Sequence, residues 1–383
     1  MGLPPFNPYQ FVPFSETVPR SPMIWLAGHD RTGSKFFESG RVICEMRLET
    51  PILVANADAP PKGLPAASLR GMVRTVAEMA GQGCASFIGE ERTGRLEDTG
   101  HDGVKNWTEG SHTPSLEQRP CHLVEPNAGE IAEAERLGRP INWKKLQLCR
   151  TCGMFGFALQ QACWRGRVRF EDARMVGTFV QYQPDHRDPL FPLYSPQPHH
   201  LPYYFSDPDP APCRMEKGHR VYQGTTMEGR KVYVHHDPMH RVAANVYIAN
   251  RNCRFSFTVH FENLSPPELG LLLFALDLKR AGGPSHLRHH YGYGKPAGYG
   301  CMRMNANECW LERSGWYRGF DEPATWLPAH KDPRKNVEGF KRMFFEKRRP
   351  EGPDWVAFER WMVYPRPGEV RYPTLEEIQG GEE

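Results

Sequence analysis

The chain has 383 residues, a formal charge of only +3, and 36 glycines and 36 prolines. Aromatic residues at 11% supply enough burial to exclude a fully disordered chain, and the glycine and proline content predicts long ordered loops beside a core. The near-neutral balance confines any nucleic-acid surface to a local patch.

The opening MGLPPFNPYQFVPF has no basic stretch leading into an apolar one, and no run of 18 apolar residues occurs, so neither a signal peptide nor a membrane span is expected. Ten cysteines spread over so long a chain do not read as a secreted disulfide scaffold. A cytoplasmic setting is the expectation. Residues 1–40 read as an extended arm, because Pro4, Pro5, Pro8, Pro13, Pro19 and Pro22 break any helix or central strand.

The first strand is expected over 41–49, with Val42, Cys44, Met46 and Leu48 on one face. The loop after it carries Asp58, a carboxylate able to hold a metal-bound water. A helix follows, with Ser68 as the N-cap, a stripe of Leu69, Met72, Val73, Val76 and Ala80, and Gly81 at the end. Arg70 and Arg74 share one flank of that helix, with Glu78 a further turn on. They read as a helix-surface ion pair or as a phosphate-binding edge.

Residues 84–163 read as a polar insertion. Within it Cys149-x2-Cys152 has the spacing of a zinc knuckle, with Cys121, His122 and Cys163 as candidate partners and His101 and His112 as distant ones. Two buried cysteines are the competing reading. Arg167 and Arg169 then alternate with Val168 and Phe170 on a half-exposed strand. A second insertion spans about 180–240, ending in the strand-like GRKVYVHH.

Residues 254–261, RFSFTVHF, alternate as a strand, and Ser265-Pro266 opens a helix burying Leu269, Leu272, Leu273 and Leu276. His289 and His290 precede the loop GYGKPAGYG, where Gly292, Gly294, Gly298 and Gly300 permit close backbone approach and Lys295 offers a charge to a phosphate. Histidine pairs at 199–200, 235–236 and 289–290 suit either packing or acid–base chemistry. A short strand is expected at 301–304, a C-terminal extension over 305–383, and a basic helix at 338–349. This order of elements predicts an α+β fold with one or two ferredoxin-like units.

Several of these segments together resemble the RAMP superfamily of CRISPR-associated proteins, in its type III effector group. GLPAASLRGMVRTVAE is similar to the family's Pro-x-Ser-Ser-Leu-Arg-Gly segment, with Ala67 where the first serine is usual. CGMFGFALQQACWRGRVRFEDA and GYGKPAGYG are similar to its Phe-Gly and glycine-rich segments, and FNPYQFVPF, EGRKVYVHH and FSFTVHFENLSPPELGLLLFALDL to a long single-chain subgroup.

The resemblance implies an RRM-like, modified ferredoxin-like core over 41–304. It implies a subunit that holds guide RNA and presents it to target RNA beside other CRISPR effector subunits. RNA contacts would then fall on Ser68, Arg70, Arg74, Arg167, Arg169, His289, His290, Gly292, Gly294, Lys295, Gly298 and Gly300. Zinc would sit on Cys149 and Cys152 with two of Cys121, His122 and Cys163, and magnesium at Asp58 if target RNA is cut. The loop around Asp58 lacks the family's usual glycines. A guide-processing endoribonuclease and a structural adaptor are the alternatives.

Overall fold

The structure is a computed structural model. It describes residues 7–15, 17–21, 37–54, 61–84, 96–98, 104–107, 121, 148–158, 163–182, 214–216, 219–222, 229–238, 246–280, 285–313, 325–327, 333–348, 350–365 and 370–371. Asp58 and His122 lie outside these residues.

In chain order the elements that position the site are β1 (Tyr9–Val12), β2 (Glu38–Leu48), β3 (Ile52–Val54), α1 (Ala66–Ala80), α2 (Arg150–Phe155), β4 (Val168–Phe170) and β5 (Ala173–Val176). They continue with β6 (Arg230–Tyr233), β7 (Arg254–Leu264), α3 (Pro266–Asp277), β8 (His289–His290), β9 (Cys301–Arg313), α4 (Pro333–Arg348) and α5 (Pro353–Trp361).

The central sheet runs β8-β9-β2-β7-β5, with β4 also on β7, and every pairing is antiparallel. Taking β2, β4/β5, β7 and β9 as the four core strands, the spatial order is fourth, first, third, second. With α1 after the first and α3 after the third, this is the ferredoxin-like βαββαβ plan. The expected α+β class is therefore what the chain adopts.

Alternation explains why β2 and β7 sit where they do. Val42, Cys44, Met46 and Leu48 of β2 and Phe255, Phe257, Val259 and Phe261 of β7 are all buried, while Glu45, Arg47, Arg254 and Ser256 face outward. The buried face packs on Leu69, Val73, Val76 and Ala80 of α1 and Leu269, Leu272, Leu273 and Leu276 of α3 in one continuous core. Each such side chain contributes about 1.5–3 kcal/mol on burial. The helix α3 begins with the expected cap: Ser265 and Glu268 form a reciprocal capping box, and Pro266 stands in the first turn.

The structure corrects the local reading at two places. Pro65, not Ser68, is the N-cap of α1, and Ser68 sits inside the first turn. The last core strand continues to Arg313 instead of stopping near 304, pairing with β2 from Met302 to Leu311. Beyond it, α4 crosses α3 so closely that a Cβ on Gly270 would lie 2.1 Å from the Phe340 carbonyl oxygen, so only glycine permits the crossing. The arm adds β1 as an antiparallel partner of β6.

Candidate nucleic-acid interface and metal centre

A groove of about 560 Å³ opens between α1 and the glycine-rich loop. Ser68, Gly71, Met72 and Thr75 line one side, a spacing of three and four residues that places them on one face of α1. Tyr291, Gly292, Tyr293 and Lys295 line the other, with Leu53 and Val54 at one edge. Gly292, Gly294, Gly298 and Gly300 all have positive φ, from 74° to 86°, so the loop needs glycine at these turns. The Gly300 amide donates to the Pro51 carbonyl at 2.8 Å and the Tyr293 amide to that of Leu53 at 3.3 Å, docking the loop on β3.

Lys295 is the charged member of the groove. Burial pushes its ammonium below the ordinary lysine range, and no carboxylate lies within ion-pair distance of it among the described residues. A desolvated cation without an acidic partner, on the wall of an open groove, is a seat for an anion.

The two helix arginines expected beside this loop turn elsewhere. Arg74 donates to Glu78 at 3.0 Å and to the Gly156 carbonyl at 2.9 Å, and Arg70 donates to the Phe155 carbonyl while lying over its ring. They fasten α1 to the end of α2, and neither lines the groove. Arg167 is committed in the same way, to the carbonyls of Gly153 (2.9 Å) and Asn263 (2.5 Å) and to Glu268. Arg169 stands exposed on the outer sheet face opposite His260.

His235 and His289 are interior groups, and His290 is half-buried on the groove wall. His289 is 1% exposed and bonds the Ala275 carbonyl at 2.8 Å, while the rings of His235 and His290 stack with centroids 3.9 Å apart. Burial pushes His235 down to about 3, His289 down to about 4, and His290 well below the ordinary imidazole range. The unfolded chain takes up these protons near pH 6.5 and the folded one does not. Their stabilisation is thus complete above pH 6.5 and is lost as pH falls from there toward pH 4 to 3, at about 1.4 kcal/mol per pH unit per ring. Urea denaturation at about pH 7.5 and about pH 5.5 checks this: the midpoint should drop clearly at the lower pH. An unchanged midpoint would mean that the folded rings accept protons.

A second centre lies behind α1. The sulfurs of Cys84, Cys121, Cys149 and Cys152 all lie within 4.8 Å of one another, and all four side chains are buried. Cys84 Sγ is 3.4 Å from Cys152 Sγ and 3.8 Å from Cys149 Sγ. Tetrahedral zinc–thiolate bonds of about 2.3 Å put neighbouring sulfurs about 3.8 Å apart, so the set fits the ion. The Cys149 amide points at Cys121 Sγ (3.1 Å) and the Cys152 amide at Cys149 Sγ (3.4 Å), as donors that stabilise thiolates. Hydrogen bonding from Cys149, Cys152 and Cys84 holds the Cys121 thiol far below its ordinary range, while hydrogen bonding to Cys121 and Cys149, with burial behind it, keeps Cys84 and Cys152 high. All four could be thiolates together only with a cation among them.

The expected ligands Cys121, Cys149 and Cys152 therefore come together, but the fourth is Cys84, which follows α1 by four residues. The backbone of Cys163 lies in a two-residue strand paired with Phe157–Ala158.

A family model described as the RAMP superfamily matches residues 45–303. The chain belongs to the RAMP superfamily. The groove and all four clustered cysteines lie inside the RAMP match, whereas α4 and α5 lie beyond it. No curated protein matches this RAMP chain. Among solved structures, Methanopyrus kandleri Csm3 is similar at a TM-score of 0.34 and 13% identity, over 81% of this chain and 98% of that one. Thermofilum pendens Csc2 is similar at 0.32 and 13%, over 88% and 94%. A chain of the Csm3-Csm4 subcomplex of the type III-A CRISPR-Cas interference complex is similar at 0.30 and 11%, over 80% and 97%. Likeness at these values carries no argument about function. No helix among the described residues is long and apolar enough to cross a membrane.

Proposed function

We propose that the chain is the RNA-holding subunit of a type III CRISPR ribonucleoprotein effector. It seats the guide-RNA backbone in the groove between α1 and the glycine-rich loop and presents the guide to target RNA. Other effector subunits are its partners, in the cytoplasm. The observation that carries the reading is Lys295, a partly buried ammonium with no carboxylate partner among the described residues, on a groove wall shared with Ser68, Tyr291 and the exposed Gly292. A phosphate satisfies that charge, and a close-approaching glycine backbone suits a phosphodiester chain. Membership of the RAMP superfamily supports the CRISPR setting.

Holding is favoured over guide processing, because His235 and His289 are buried, and His290, though it lines the groove, has both ring nitrogens turned away from solvent, so the three rings are poorly placed to act as acid and base on RNA. Target cutting by Asp58 with magnesium rests on the family resemblance alone. The structural role of zinc is to hold the Cys84, Cys121, Cys149 and Cys152 segments together where a local core is small.

Lys295→Gln is the direct test. Binding of single-stranded RNA, read by fluorescence anisotropy, is expected to weaken by about tenfold to a hundredfold while the melting temperature holds or rises. The rise follows from removing a desolvated charge. Equal affinity of the two proteins would remove the groove from RNA binding.

A further inference from the structure

The outer face of the central sheet carries a row of charge that the groove does not use. Strand register sets Arg254 of β7 opposite Arg47 of β2, and Arg47 opposite Arg303 of β9. All three side chains are exposed. Adjacent strands are about 4.8 Å apart, so the row concentrates three cations in about 10 Å. Arg47 bonds the side-chain oxygen of Asn252, a neutral amide, at 2.7 Å. No carboxylate lies within 4.0 Å of any of the three among the described residues.

Like charges placed directly across a sheet destabilise it, and among the described residues no carboxylate pairs with the row to offset the repulsion. The next row holds Arg174, Ser256, Glu45 and Asn305, one acid and a fourth arginine with Ser256 between them. A surface that keeps such a row is shaped for an external polyanion. Its surroundings of Ser256, Asn305 and Asn252 are polar, and the exposed Val176 that pairs with Arg254 lies at the β5 end of the row, so the centre of the row is not the apolar one that a protein interface buries. They match the hydroxyl and phosphate groups of a nucleic-acid backbone, which guanidinium forks grip in pairs.

Position decides which nucleic acid. Arg303 stands three residues after Gly300, which ends the glycine-rich loop, and Arg47 stands just before the turn whose Thr50 and Pro51 anchor that loop's end. The row thus begins where the groove wall ends. We propose that Arg47, Arg254 and Arg303 form a second phosphate track on the outer sheet face, which takes up the RNA strand after it leaves the groove. The proposal rests on the groove reading above and extends the footprint from the Lys295 wall to the sheet.

The test compares wild type, Lys295→Gln and the triple variant Arg47→Gln, Arg254→Gln, Arg303→Gln on single-stranded RNA of about 5 and about 25 nucleotides, over a salt series. The triple variant should bind the short RNA as wild type does. It should bind the long RNA at least about tenfold more weakly, with the salt slope flatter by about 2, the value for three phosphate contacts on a single strand. Its melting temperature should equal or exceed that of wild type, since the repulsion is gone, which separates a lost contact from a lost fold. If Lys295→Gln has no effect but the triple variant weakens the long RNA, the groove reading fails and the sheet track stands. If the triple variant binds the long RNA with unchanged affinity and slope, the track is overturned. If it instead loses a copurifying acidic protein, with RNA binding intact, the row belongs to a protein partner and the proposal is likewise overturned.

Discussion

Cys84→Ser is expected to abolish binding of one zinc ion per chain and to collapse the segment around α2, with a large fall in melting temperature. Structural zinc gives small domains roughly 10–16 kcal/mol, and this cluster joins three stretches of chain far apart in sequence, around 84, 121 and 149–152. The damage should spread, because Arg70 and Arg74 of α1 are anchored on the carbonyls of Phe155 and Gly156 at the end of α2. Arg230 adds to this, gripping the carbonyls of Gly83 (2.9 Å) and Cys84 (2.5 Å) from β6. Elemental analysis, with proteolysis of the reduced protein before and after chelation, reads the result. Zinc near zero in a wild-type chain that resists protease equally with and without chelator would leave four buried thiols and no metal centre.

The second large effect concerns Lys341. Its side chain is 0% exposed, and its ammonium sits 2.5 and 2.6 Å from the two carboxylate oxygens of Asp277. Asp277 ends α3, where the helix dipole already disfavours a negative charge, and burial raises its pKa despite the lysine. Lys341→Met leaves that carboxylate buried and alone, and is expected to cost about 3–5 kcal/mol. Adding Asp277→Asn should recover much of the loss, because removing both charges of a buried pair is far cheaper than removing one. Denaturant titration of the two single variants and the double variant measures the coupling. Additive losses would show that the pair has no mutual dependence.

How far the sequence disclosed all this depended on whether a signal was local. The alternation in β2 and β7 and the Ser265-Pro266-x-Glu268 start of α3 are local, and they were readable. In β9 the alternation of Met302 and Met304 breaks at a register shift between Ala306 and Glu308, then resumes at Cys309 and Leu311. One extra residue inverts the pattern, so the strand seemed to end where it merely bulges. Arg70 and Arg74 were correctly placed on a shared flank, but their acceptors are main-chain carbonyls more than 80 residues away, which no spacing reveals. Cys84 gave no signal for the same reason, standing alone with no near partner. The histidine doublet at 289–290 suited either packing or acid–base chemistry; His289 proved to be buried and His290 half-buried on the groove wall, since a ring's type is legible in a sequence and its burial is not.

The position of β2 also governs how the molecule comes off the ribosome. Its two neighbours in the sheet, β7 and β9, both lie far downstream. From the end of β2 at Leu48 to the start of β7 at Arg254, roughly 200 residues must emerge, which takes roughly 10–40 s at usual rates of synthesis. For that interval the nascent chain carries an eleven-residue apolar-alternating strand with both edges open. The fold is thus among those that reward a chaperone early and close late, when β7 and finally β9 arrive to flank the waiting strand.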